Sequence, residues 1–339
     1  MKILFYQSRR ETFSINLLFD VIRQNLPKSL EPIIVTFTHK GSSFLNRVFD
    51  IISVAWIQKQ GEINHVVGDF NYATFLMRKN KTIMTIHDLG RIYIYKNSPV
   101  KKFIVKWFWL WLPISKAVVI TAVSRTTKEE ILKYVNCPPD KIRVIYNCIS
   151  PRFNANAKVF NKEKPVLLQI GTRPNKNLQR VIEAVAGISC KLDIVGSLNA
   201  ETIRLLNHHH IDFTCKSNLT NEEVRQKYIN ADMLIFVSLF EGFGMPIVEA
   251  NAVERAVVTS NCSAMAEIAG NAACLVNPNV VESIREGIIR VINDDEYRQY
   301  LINNGRINKK RFDATKITRE YFSLYNEVYA KAPVRRKWC

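Results

Sequence analysis

Twelve short apolar runs, rich in Val, Ile and Leu, recur along the chain with little polar alternation. A strand that wets one face alternates apolar with polar residues. A run that is apolar at successive positions is buried on both faces. The runs are KILFY (2–6), PIIVTF (32–37), INHVV (63–67), TIMTI (82–86), AVVITAV (117–123) and IRVIY (142–146), then PVLLQI (165–170), KLDIV (191–195), IDFT (211–214), ADMLIFV (231–237), AVVTS (256–260) and AACLV (272–276). Stretches of helical period lie between them, including NLQRVIEAVAGI (177–188), TNEEVRQKYIN (220–230) and VVESIREGIIRVIN (280–293). Thr220 with Glu223 predicts a capping box at the second of these. Strand–helix alternation of this kind specifies parallel sheets covered by helices on both faces. It pauses at ISPRFNANAKVFNKEKP (149–165), a polar, Asn- and Lys-rich stretch. That pause reads as the linker between two doubly wound α/β domains, residues 1–153 and 164–312. Such domains place a ligand cleft at the C-terminal ends of their strands.

A length of 339 residues is enough for two such cores. The formal net charge is +18, unevenly spread. Residues 1–155 carry 23 Lys and Arg against 10 Asp and Glu; residues 156–339 carry 25 against 20, and four of those cations sit in the tail KAPVRRKWC. Such a field draws phosphate, whether of nucleic acid or of an anionic membrane surface. The seven cysteines, at 137, 148, 190, 215, 262, 274 and 339, form neither a CxxC nor a Cys/His cluster. That pattern argues against a disulfide framework or structural zinc, and for reduced thiols in the cytoplasm. MKILFYQSRRE reads as a first strand and not as a signal peptide. The longest apolar stretch, 103–123, is broken by Lys106, Pro113 and Lys116, so an integral membrane protein is not expected.

Two stretches carry chemistry. QIGTRPNKNLQRVIEA (169–184) is a strand, a short loop with Gly171, and a helix opening near Leu178. A helix N-terminus behind a glycine loop favours phosphate, and Arg173 and Lys176 add two cations there. It is neither a Walker loop nor GxGxxG, which weighs against ATPase and dehydrogenase readings. SLFEGFGMPIVEANA (238–252) sets Glu241 and Glu249 eight positions apart across a loop and a helix start, with Pro246 at the opening and Glu249 in the first turn. A carboxylate cannot hold phosphate but accepts hydrogen bonds from hydroxyls, and Gly242 and Gly244 let a ligand come close to the backbone. The residues by themselves also admit a plainer reading, with Glu249 a helix cap and Glu241 a solvated loop charge.

SLFEGFGMPIVEA resembles the E-x7-E signature of family 4 (group 1) glycosyltransferases, and GTRPNKNL resembles that family's G-T…K-N loop. TIHDLG (85–90), AVSRTTKEEI (122–131), VIYNCISPRF (144–153) and TSNCSAMAEIAGNAACLVNP (259–278), with Glu267, Gly270 and Pro278, are similar as well. The resemblance implies the GT-B fold, two Rossmann-like doubly wound parallel-sheet domains facing a central cleft, with a last helix at about 316–330 crossing back onto the first domain. It implies a retaining transfer of a hexosyl unit, mannosyl or similar, from a nucleotide sugar such as a GDP- or UDP-hexose to a glycan or lipid-linked acceptor, in surface polysaccharide or lipopolysaccharide biosynthesis. Glu249 would then bind ribose and Glu241 the transferred sugar. The backbone of Gly242, Phe243, Gly244 and Met245 would lie alongside the sugar. Gly171, Arg173 and Lys176 would hold the diphosphate, His87 would stand near the sugar, and 211–218 would meet the base. Glu241 would act by position and charge more than as a nucleophile. No metal and no cofactor are implied. Asp294 and Asp295 read as a helix start, and His208, His209 and His210 as a solvated turn. The chain departs from the family pattern twice. YQSRRETFSIN (6–16) replaces a glycine-rich loop, leaving Arg9 or Arg10 to reach phosphate or acceptor, and ERAVV (254–258) replaces G-x-P-V.

SPVKKFIVKWFWLWLPISK (98–116) packs three tryptophans beside four lysines. It reads either as a membrane-surface helix or as a core helix with wet lysines, and the basic first half favours peripheral attachment to an anionic inner leaflet. The same charge admits a nucleic-acid-binding protein, but no helix-turn-helix, RRM-like or zinc-finger pattern accompanies it, so no nucleic acid partner is expected. A GT-B sugar-nucleotide epimerase is the nearer alternative.

Overall fold

The computed structural model describes residues 1–8, 13–37, 44–68, 70–95 and 97–331. Arg9 and Arg10 lie outside them. The chain divides into two compact units, Met1–Cys148 with the segment from Ala314 onward, and Ile149–Asp313.

The first unit is a parallel sheet of β1 (Lys2–Ser8), β2 (Glu31–Phe37), β3 (Ile63–Val66), β4 (Thr82–Ile86), β5 (Val119–Ala122) and β6 (Ile142–Val144), in the order β2-β1-β3-β4-β5-β6. Successive residues of β1 feed opposite cores. Ile3 and Phe5 pack with the helices Phe13–Gln24 and Ala314–Lys331, while Leu4 and Tyr6 pack with Val54, Met84 and Ile114. This double burial is what an unalternating apolar strand requires.

The second unit repeats the plan with β7 (Val166–Ile170), β8 (Lys191–Val195), β9 (Asp212–Lys216), β10 (Met233–Phe236), β11 (Ala256–Ser260) and β12 (Cys274–Val276), in the order β12-β11-β10-β7-β8-β9. Here too Met233 and Ile235 face one core, Leu234 and Phe236 the other. The chain enters at β7, builds outward through β8 and β9, then returns to set β10 against the other edge of β7. The strand order therefore reverses between β7 and β10, the place where doubly wound sheets open a crevice for ligands.

Residues 149–165 are not a free linker. Ile149 N–H donates to Phe312 O at 2.8 Å, Phe153 meets Tyr228 edge-on, Phe160 packs on the core, and Lys158 pairs with Asp232 at 2.8 Å. The division falls after Cys148, five residues before the expected end of the first domain at 153, because these apolar side chains find their burial in the second unit.

The capping box forms at Thr220, whose N–H donates to Glu223 Oε2 at 2.7 Å while Glu223 N–H donates to Thr220 Oγ1 at 3.3 Å. Asp294 caps the helix Asp295–Asn308 by accepting from Tyr297 N–H at 2.8 Å. The stretch 98–116 joins the core through only part of its length. The segment runs as the helix Pro99–Val105, a π turn over Lys106–Trp111 and the helix Leu112–Lys116, and it buries only Leu110, Pro113 and Ile114. No helix among the described residues is long and apolar enough to cross a membrane.

Candidate functional site

The loops leaving β7 and β10 meet at the strand-order reversal. After β7, Gly171 adopts φ +89°, a left-handed backbone that other residues resist, and its N–H donates to Val195 O at 2.8 Å. A short 3-10 turn, Pro174–Lys176, leads to Asn177 in the left-handed region and to the helix Leu178–Val185. Buried Gln169 ties the loop shut, its Nε2 donating to Gly171 O at 3.3 Å and Lys176 O at 3.2 Å. Asn177 Nδ2 bridges to Val237 O at 3.1 Å and to Pro278 O at 2.7 Å, so one side chain fastens the β7 loop to the ends of β10 and β12.

After β10, the loop carries Glu241. Its Oε1 receives Lys176 Nζ at 2.6 Å and Asn175 Nδ2 at 3.1 Å, and Asn175 Nδ2 also reaches Phe240 O at 3.2 Å. Both members of the Lys176–Glu241 pair are 18% exposed. The Lys176 ammonium also lies 4.7 Å from the centroid of the Phe236 ring. Ser263, with φ +55°, braces the carboxylate's backbone, accepting from Glu241 N–H at 3.2 Å and donating to Glu241 O at 2.8 Å. The helix Met245–Ala252 then opens behind Gly244, whose φ of +108° makes the sharp entry. Gly242, Phe243 and Gly244 are buried, and the Phe243 ring meets Phe312 at 5.4 Å. Met245 is half-buried and Arg173 is exposed.

Glu249 lies in the second turn of that helix, not the first, because the helix begins at Met245 and counts Pro246 as its second residue. It is not a cap. Its Oε2 accepts the hydroxyl of fully buried Tyr228 at 2.5 Å. Burial pushes the Glu249 carboxyl up to about 7, against the opposing pull of the Tyr228 hydroxyl and the Lys176 charge. Tyr228 was not singled out from sequence. The available signal was weak: Tyr228 follows Val224 by four on the capped helix Asn221–Asn230, hence on its inward face.

His87 belongs to the first unit. One ring nitrogen, Nε2, is 2.9 Å from Val67 O, and the ring stands edge-on to Phe19. Of the family departures, 6–16 falls partly outside the described residues. At 254–258 the turn survives without glycine: Glu254 itself takes φ +64°, and Arg306 forks onto its carboxylate at 2.9 and 2.8 Å. Arg255 donates to the carbonyls of Ile229, Ala231, Val253 and Asn156, satisfying two helix ends. The three-histidine run ends the helix Ala200–His208 with His210 left-handed, and no group of metal ligands occurs among the described residues.

The family model for group 1 glycosyl transferases matches residues 152–308, and the model for glycosyltransferase family 4 matches residues 25–153. The chain belongs to the group 1, family 4 glycosyltransferases. Among curated relatives of this family 4 chain, an uncharacterized glycosyltransferase of Methanocaldococcus jannaschii is 27% identical over 63% of this chain and 61% of its own length. The O-antigen chain mannosyltransferase RfbU of Salmonella typhimurium is 30% identical over 63% of this chain and 62% of its own. The chain thus spans about three-fifths of the length of these two relatives. A crystal structure of HepE from Anabaena, in complex with UDP and glucose, aligns with TM-score 0.79 at 16% identity over 96% of this chain and all of HepE. The family 4 chain has the GT-B fold of two Rossmann-like units.

Proposed function

We infer that the chain is a nucleotide-sugar-dependent glycosyltransferase that moves a hexosyl unit, with retention, onto a glycan or lipid-linked acceptor in surface polysaccharide or lipopolysaccharide biosynthesis. The observation that carries this reading is the Lys176–Glu241 pair at the β7/β10 reversal, with Glu249 eight residues further on and exposed Arg173 on the same loop as Lys176. RfbU, an O-antigen mannosyltransferase by name, and HepE, seen with UDP and glucose, support the substrate class.

In this reading Lys176 has two anionic partners to choose between. Without donor its ammonium is neutralised by Glu241. A diphosphate brings a stronger anion to the same cation, joined by Arg173, which forks onto phosphate oxygens. Glu241, still anchored by Asn175, then turns its lone pairs to the sugar hydroxyls. Glu249 offers Oε1 to ribose while Tyr228 occupies Oε2. In the transfer itself, the bond from the anomeric carbon to the diphosphate oxygen breaks, and charge gathers on that oxygen beside Arg173 and Lys176. The acceptor oxygen bonds to the anomeric carbon on the same face, and its proton passes to the departing diphosphate. The residues need no metal for this charge balance. We place the protein in the cytoplasm; its six described cysteines are free thiols.

A thermal-shift panel of UDP, GDP, ADP and their hexose conjugates tests the reading. One nucleotide series should raise the melting temperature, since a ligand that binds only the folded state stabilises it. If none of them does, the donor site is not where it is placed.

A further inference from the structure

The first unit turns an apolar stripe toward solvent. Val100, Phe103, Ile104, Trp107, Phe108 and Trp111 are 69, 61, 49, 41, 53 and 39% exposed. They recur at intervals of three and four along the continuous helical run 99–116, so they share one side of it. In a solvated helix this is the side that would be buried. Here the core contacts come instead through Leu110 and Ile114, which are buried while these six side chains are not. The ring centroids of Trp107 and Trp111 lie 4.4 Å apart, and Trp107 also stands 6.3 Å from Phe103, so the aromatics form one continuous surface.

Trp111 also lines a pocket of about 220 Å³ with Lys79, Ser115, Asn136, Cys137 and Lys141. Neither lysine makes an ion pair among the described residues. Burial and the nearby Lys79 charge both hold the Lys141 ammonium below its ordinary range, so an anion in the pocket would relieve both. The surroundings are cationic as well. Between Asp88 and Glu129 the sequence holds eight Lys and Arg and not one Asp or Glu.

We propose that this stripe and pocket form a docking surface for an anionic lipid bilayer, with Trp107, Phe108 and Trp111 entering the interfacial layer and Lys79 and Lys141 holding a lipid phosphate. Tryptophan beside lysine suits the headgroup boundary, where the ring finds apolar chains and the ammonium finds phosphate. A second copy of the chain fits poorly. A two-fold contact would bring the same patch against itself, and Lys101, Lys102 and Lys106 would face their own copies with no carboxylate between residues 89 and 128 to neutralise them.

The test is flotation of the full chain at low salt with vesicles of phosphatidylcholine alone and of phosphatidylcholine mixed with phosphatidylglycerol. The protein should float with the second and not the first, with a blue shift of tryptophan emission. Lys79→Gln/Lys141→Gln should weaken partition about thirty-fold, about five-fold for each lysine, from the known energy per basic residue near an anionic surface. Phe103→Ser/Phe108→Ser should weaken it too, with an unchanged melting temperature because both side chains are exposed. Equal recovery on the two vesicles overturns the proposal. So does a lysine variant that floats like the parent. A stable dimer that the phenylalanine variant dissociates, with no vesicle binding, would give the patch to a second copy instead.

Discussion

At Glu249 a carboxylate is drawn away from solvent with one oxygen on a tyrosine hydroxyl and its pKa raised to about 7. The folded carboxyl then holds a proton that the unfolded chain has released, between its ordinary value of 4.5 and about 7, so this group's contribution to stability falls as pH rises through that window. Ribose hydroxyls donating to Oε1 favour the ionised form, so donor binding should expel a proton below pH 7. Calorimetric titration of a sugar nucleotide in two buffers of different ionisation enthalpy should show that release, with affinity rising as pH is raised from 5 to 7. Glu249→Gln should abolish the pH dependence, and Tyr228→Phe should move it to higher pH because the hydroxyl is what holds the carboxyl down. A pH-independent affinity in the parent would remove Glu249 from the ribose site. Lys176→Met should lower kcat about 100-fold or more, as losing one positioned donor to a developing oxyanion does, with a smaller change in KM. Steady-state kinetics check it, and a change confined to KM would limit Lys176 to ground-state binding. Neither the Tyr228–Glu249 contact nor the Lys176–Glu241 pair is local, at 21 and 65 residues apart, which is why the sequence marks the residues and not their partners.

Among the elements, the strands were the most legible part. All twelve apolar runs became strands, three of them, 82–86, 191–195 and 256–260, with unchanged ends. A strand buried on both faces must be apolar at every position, and that requirement is written locally. Helix faces are harder. The run 98–116 has enough apolar residues to be read inward or outward, and only packing shows that Leu110 and Ile114 face in while the aromatics face out. The turn at Glu254 shows how an element survives an unfavourable residue. A left-handed backbone at a non-glycine residue costs about 1 kcal/mol, and the fork from Arg306 offsets it. Glu254→Ala keeps the strain and loses the fork, and should destabilise the second unit by about 1 kcal/mol. Glu254→Gly loses both and should be close to neutral. Denaturant unfolding of the two variants checks this, and equal losses would mean the strain is not there.

On the scale of the molecule, the first unit is closed by the last helix of the chain. Tyr325, on Ala314–Lys331, places its hydroxyl 2.8 Å from His65 Nδ1, while Nε2 of the same ring lies 2.8 Å from Thr85 Oγ1. Phe5, Phe19 and Tyr321 surround the ring. Burial, with His87 and Arg23 nearby, drives the His65 pKa down to about 3. Its folded pKa lies below its unfolded one, so its contribution to stability is full above about 6.5 and is lost as pH falls toward 3. Glu249 gives the second unit the opposite slope. Acidifying from pH 7 to 5 should cost the first unit about 2 kcal/mol through His65 and add about 2 kcal/mol to the second through Glu249. Scanning calorimetry should therefore show the first unit's transition falling and the second unit's rising toward pH 5, with His65→Gln removing most of the shift in the first. Transitions that move together would contradict this assignment.

The sequence by itself determined the class of fold, the positions of the twelve strands and the two loops that carry the charged residues, because burial on both faces and helix entry leave marks within a few residues. The tertiary structure alone decided that β10 returns beside β7 and so brings Glu241 to Lys176, that Tyr228 rather than solvent meets Glu249, and that the tryptophan-rich helix faces outward. Those outcomes depend on which distant surfaces are in contact, and a residue's own neighbours in sequence do not record that.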